Sequence, residues 1–131
     1  MKKIIALLLL ICTFALCLVS CASMDKYEDN LDKNYDVEKI KKSEIDDLAE
    51  MLDLDMDDYD IEEALMAESK KGDDGVYIFE CKSSSKAKKL AKDVEDALDE
   101  VKSYISDMEV TKKGKFVFVG TEDGIDDALG K

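Results

Sequence analysis

The chain has 131 residues and a formal net charge of −13, from 19 basic residues, all of them Lys, against 32 acidic ones. It has no His, Arg, Trp or Pro, so it lacks the commonest general base and zinc ligand, the bidentate clamp for phosphate or carboxylate, and the ring that usually stacks on a sugar. So acidic a chain releases no counterions from a phosphate backbone, which argues against nucleic acid as a partner, and its length suggests one domain.

The N-terminus reads Met1-Lys2-Lys3, an apolar run from Ile4 to Val19, then Ser20-Cys21. A membrane-spanning helix needs roughly 20 apolar residues. This run is shorter and leads into strongly polar sequence, so residues 1–20 are predicted to be a secretory signal peptide. The boundary Leu18-Val19-Ser20-Cys21 resembles a bacterial lipobox. That resemblance implies recognition of Leu18, Val19 and Ser20 by a signal peptidase and a diacylglyceryl group on the Cys21 sulfur. It also implies a mature chain that begins at Cys21 and is held by lipid on the extracytoplasmic face of the cell membrane. Two or more acyl chains suffice for stable anchoring, at ~0.8 kcal/mol per buried CH₂.

Removal of the signal takes Lys2 and Lys3 with it, leaving 17 Lys against 32 acidic residues, a net charge of −15. Cys12 and Cys17 leave as well and Cys21 carries the lipid. Cys81 then stands alone, with no partner for an intramolecular disulfide. Its setting, Tyr77-Ile78-Phe79-Glu80-Cys81, reads as a strand, where a lone Cys behaves as a small buried hydrophobe.

Residues 21–36 are polar with no apolar period and are predicted to be a lipid-attached tether. Residues 37–131 are predicted to form a single domain. A helix is expected from Val37 to Leu52, with Ile40, Ile45, Leu48 and Leu52 as its apolar stripe and Ser43 with Asp46 as a capping box. A strand is expected in the second half of Tyr59–Ser69, a turn from Lys70 to Gly75, and a β-branched and aromatic strand from Val76 to Cys81. Ser83, Ser84 and Ser85 offer N-caps for an amphipathic helix of about twenty residues, its stripe being Ala87, Leu90, Ala91, Val94, Leu98, Val101 and Ile105. Strands at Met108–Thr111 and Lys115–Gly120, joined at Lys112-Lys113-Gly114, form a hairpin. Thr121–Asp123 caps a last short helix bearing Ile125, Ala128 and Leu129. The expected fold is α+β, a two-layer sandwich of a four-stranded antiparallel sheet with one long amphipathic helix packed on it, in the order α-β-β-α-β-β-α.

Leu52-Asp53-Leu54-Asp55, the strand within Ile61–Ser69, the long Lys-rich helix and Lys113-Gly114-Lys115-Phe116-Val117-Phe118-Val119 together resemble a family of small lipoproteins of clostridial-type bacteria, whose function is unknown. The resemblance covers most of residues 44–129, and the chain departs from it in having no Arg in or after the long helix. It implies a fold and an address, and no catalytic residues.

Few constellations could carry chemistry. Asp53, Asp55 and Asp57 fit the first, third and fifth positions of a calcium loop. Asp58 stands where Gly belongs, however, and Ala64 where a bidentate Glu belongs. A solvated acidic segment is the plainer reading, with weak divalent binding as its extension. Eleven acids and no Lys from Glu44 to Glu63 motivate the alternative of an acidic, calcium-binding surface module. Ser83-x-x-Lys86 matches one motif of penicillin-recognising enzymes without its companions and reads as a helix cap. The many carboxylates show no pair set apart for glycoside chemistry. Tyr77, Phe79, Phe116 and Phe118 lie on two strands, and an uncovered sheet face would expose two of them as a partner surface. With no catalytic set, no cofactor and no metal expected, the sequence points to a non-enzymatic module that binds a protein, peptide or wall component at the cell surface.

Overall fold

The computed structural model describes residues 23–101 and 107–131. The strands are β1 (Tyr35–Lys39), β2 (Ile61–Ser69), β3 (Gly75–Cys81), β4 (Glu109–Lys113) and β5 (Phe116–Gly120). They pair antiparallel throughout, in the order β1-β2-β3-β5-β4. The helices are α1 (Met24–Leu31), α2 (Lys42–Met51), α3 (Ser84–Glu100) and α4 (Glu122–Leu129), and a 3-10 turn spans Met56–Tyr59. The class is mixed α and β as expected, but the sheet has five strands instead of four and the order is α-β-α-β-β-α-β-β-α.

The two-residue connection between β4 and β5 is Gly114-Lys115, with Lys113 opposite Phe116. Gly114 has φ of +60°, the left-handed entry that a type II′ hairpin needs at its first central residue and that glycine supplies without a Cβ clash.

Alternation along the central strands sends side chains to both faces, and both faces are apolar. Tyr77 and Phe79 of β3 pair with Val119 and Val117 of β5, while Val76 and Ile78 pair with Gly120 and Phe118. A sheet apolar on both sides needs cover on both sides. One face carries α2 and α3, where Ile45, Ala49, Leu90, Val94 and Leu98 close over Ala64, Phe79, Val117 and Val119. The other carries α1 and α4, where Met24, Tyr27, Leu31, Ile125 and Ala128 close over Leu65, Val76, Ile78, Phe116 and Phe118. The two-layer expectation is thereby corrected to helices on both faces.

Two further expectations change. Residues 21–36 are not a tether over the part described. Ser23 stands before helix α1, whose Met24, Tyr27 and Leu31 are buried, and Asn30 donates from its side-chain amide to the Ala128 carbonyl at 2.8 Å. The helix expected from Val37 begins at Lys42, because Tyr35 and Val37 alternate with Asp36 and Glu38 along β1 and face the α1/α4 core. The expected Ser43–Asp46 box is replaced by Glu44, whose carboxylate accepts the Lys41 backbone N–H at 3.1 Å. The long helix is present from Ser84, and Ile105 of its expected stripe lies outside the described residues, as do residues 1–20 and Cys21.

Candidate functional site

The acidic segment is organised by local structure. Asp53 and Asp60 hold φ of +55° and +46°, the left-handed conformation that Asp tolerates better than most residues. They bracket the 3-10 turn, which buries Met56 and Tyr59 in the α2/α3 core. Asp55 caps that turn by accepting the Asp57 backbone N–H at 3.1 Å, and Asp57 faces Lys42 at 3.6 Å with both side chains exposed. Asp57 and Asp60 also edge a hollow of about 420 Å³ beside Ile40 and Ile45. Among the described residues no group of three or more Asp, Glu, Cys or His could hold a metal ion, so Asp53, Asp55 and Asp57 do not converge as the calcium spacing suggested.

Ser83 caps α3, its hydroxyl accepting the Lys86 backbone N–H at 3.2 Å. The Lys86 ammonium reaches instead to the Asp58 carbonyl at 3.1 Å and the Asp60 carboxylate at 3.7 Å. The Ser-x-x-Lys pair is thus a helix cap and a strap on the acidic turn.

Three further buried ionisable groups favour their protonated forms. Cys81 is fully buried in the α2/α3 core, where desolvation first and nearby Asp60, Glu62 and Glu80 second push its thiol up to about 11. Tyr35 and Tyr59 donate to Asp127 and Asp93, each at 2.8 Å. Burial, and then these acceptors, raise both phenols well above their ordinary value of 10. All three shifts favour the neutral form in the folded state. Their contribution is therefore complete below pH 9 and is lost as pH climbs through the raised values. Urea midpoints should hold steady between pH 7 and 8.5 and fall by pH 10.5, with a smaller fall in Tyr59→Phe. A midpoint unchanged at pH 10.5 would contradict the buried assignments.

The four aromatics of the two strands are divided between the faces of the sheet. Phe116 and Phe118 are buried beneath α1. Tyr77 and Phe79 stack on the other face, with centroids 6.4 Å apart and planes 12° apart. Phe79 is buried, while Tyr77 is half-exposed at the end of the face that α3 leaves uncovered. There Leu48 and Met51 of α2, Met66 of β2 and Tyr77 of β3 line a groove of about 280 Å³. Past Met66 and Tyr77 it adjoins a second hollow of about 290 Å³ that reaches Met108. Met51 is 81% exposed, the most conspicuous apolar side chain on the described surface. Glu38, Glu44 and Asp47 stand along the first hollow and Glu68 along the second. The cation beside them, Lys39, is paired with Glu63 at 3.4 Å.

No family model, curated protein or solved structure matches the chain. The groove is therefore read from its own residues. Sequence patterning placed Leu48 on a helix stripe, with Met51 near its edge, and Tyr77 on a strand, but gave no sign that β2 would bring Met66 between them. The available signal was an excess of apolar residues on α2. Ile45 and Ala49 suffice for its core contact, and Leu48 and Met51 are surplus to it.

Proposed function

We propose that this chain is a lipoprotein anchored at the extracytoplasmic face of the cell membrane through Cys21, and that it acts there as a non-enzymatic interaction module. The observation that carries the reading is the run Lys2-Lys3, an apolar segment, and Leu18-Val19-Ser20-Cys21. The resemblance to small clostridial-type lipoproteins points the same way. The absence of His and Arg from the sequence supports an interaction role over a catalytic one.

An anchor at Cys21 would have a short reach. Met24 is 2% exposed and belongs to the α1/α4 core. Two residues, Ala22 and Ser23, separate it from Cys21, and the three Cα–Cα steps span no more than ~11 Å at full extension. The domain would ride close to the bilayer, and not at the end of a long leash. No helix among the described residues is long and apolar enough to cross a membrane.

Metabolic labelling with a fatty acid tests the reading. The wild-type chain should take up label, and Cys21→Ala should take up none and retain its signal segment. Label persisting in Cys21→Ala would overturn the assignment.

A further inference from the structure

We propose that the groove between α2 and the sheet, floored by Met66 and Tyr77 and walled by Leu48 and Met51, is a docking site for a cationic amphipathic helix of a partner protein. This rests on the interaction role proposed above and names the chemistry of the partner.

Three features of the groove select that occupant. Its lining is apolar and rich in methionine, with Met51, Met66 and Met108 along the two adjoining hollows. Unbranched, polarizable thioethers adapt to varied apolar side chains, which is why Met recurs on surfaces that accept helices. The rim carries Glu38, Glu44, Asp47 and Glu68, while the ammonium of Lys39 is engaged by Glu63. Although Glu44 also caps α2, the net charge along the rim is negative, and it complements Lys or Arg flanking an apolar stripe. The groove also lies on the face of the sheet, running from edge strand β1 across β2 and β3. The strands beneath it, β2 and β3, are each hydrogen-bonded on both sides. Over β2 and β3 an occupant finds no ladder to join and must satisfy its own backbone, as a helix does and an extended strand does not.

The same features disfavour other occupants. A second copy of a chain with net charge −13 would bring like charge against like. An anionic lipid surface would meet the acidic rim and be repelled.

The test uses the full chain in nanodiscs of zwitterionic phosphatidylcholine, with empty discs subtracted. The probe is a Lys/Leu amphipathic peptide carrying one Trp. Since the protein has no Trp, a blue shift in emission reports burial of the peptide alone. The amphipathic peptide should bind with a blue shift, and a scrambled peptide of the same composition should not. Met51→Ser should weaken binding about tenfold, as loss of one buried apolar side chain does, while leaving the thermal melt unchanged because Met51 is exposed. Glu38→Gln with Asp47→Asn should weaken it further than Asp29→Asn with Asp32→Asn, an equal change of charge on α1 and its C-terminal cap.

Equal binding of the scrambled peptide, or equal affinities for wild type and Met51→Ser, would overturn the groove as the site. A crosslinked partner on the α1/α4 face of the protein in intact cells, with no peptide bound at the groove, would overturn this inference and leave the lipoprotein reading standing. Fatty-acid label persisting in Cys21→Ala would overturn that reading while peptide binding still stood.

Discussion

Gly120→Ala should cost about 3 kcal/mol or more, among the largest losses expected of any single methyl group in this protein. Gly120 ends β5, paired with Val76 on one side and Glu109 on the other. A Cβ there would lie only 2.2 Å from the Gly75 carbonyl oxygen and 2.7 Å from the Val76 Cα. Both are backbone atoms of a central strand, and no rotamer change can move them. The same oxygen lies 2.5 Å from where a Cβ on Gly124 would stand, one turn into α4, and it accepts the Thr121 backbone N–H at 3.0 Å. Gly75, Gly120 and Gly124 thus bring the start of α4 onto β3 backbone against backbone, and that contact sets how α4 lies over the α1/α4 core. Overpacking usually costs ~1–3 kcal/mol, and the upper end applies where the obstructing atoms are backbone. Against a typical total of ~5–15 kcal/mol, the urea midpoint should drop by about 1 M or more, given slopes of ~1–3 kcal/mol/M. Gly72→Ala is the control. Its φ of +78° is strained for Ala, but open space surrounds it, so it should cost only about 1–2 kcal/mol. A loss below about 1 kcal/mol in Gly120→Ala would mean that the strands spread to admit the methyl group, against the usual behaviour of close-packed interiors.

The parts of this fold that were legible in the sequence are those whose pattern is local. The stripe Ala87, Leu90, Val94 and Leu98 repeats at three and four, and all four are buried on α3. β3 and β5 announce themselves by β-branched and aromatic residues between turn residues. β1 and α1 were missed for opposite reasons. Tyr35 and Val37 do alternate with acids, but Ile40 and Ile45 follow with no Gly or Pro between, so a helical period absorbs the strand. In α1, Met24, Tyr27 and Leu31 do fall at helical spacing, yet four acids and two Lys from Asp25 to Lys33 make the segment read as solvated linker. An isolated eight-residue helix is marginal in water, and what holds α1 is burial against strands that come eighty to ninety residues later. The second helical layer was also foreshadowed. Val76 and Ile78 opposite Tyr77 and Phe79 leave no polar face on β3, which itself calls for cover on both sides. The groove was less legible, because its walls and floor come from α2, β2 and β3, and only the sheet register brings them together.

Tyr27→Ala tests the most consequential of these differences, because tether and helix predict opposite results. In a solvated tether the change would be silent. In the structure Tyr27 is 1% exposed and meets Phe116 and Phe118 edge-on, each with centroids 5.0 Å apart and planes at 70° and 85°. Truncating a buried ring to Ala typically costs ~3–5 kcal/mol, through lost transfer free energy and the cavity left behind, and the edge-on pairs add to it. Tyr27→Phe keeps the ring and both aromatic pairs and should lie within about 1.5 kcal/mol of wild type. Chemical denaturation of the three proteins separates the cases, and an unchanged midpoint in Tyr27→Ala would return residues 23–34 to the status of linker. Under the lipid anchor proposed at Cys21, the result also bears on the membrane. With α1 docked, only the residues from Cys21 to Met24 can separate the domain from a lipid on Cys21. With α1 released, the fourteen residues from Ala22 to Tyr35 become the leash, and their full extension of ~50 Å would let the domain swing well clear of the bilayer. Distances from a label on the exposed Met51 position to the membrane surface should therefore lengthen in Tyr27→Ala and not in Tyr27→Phe.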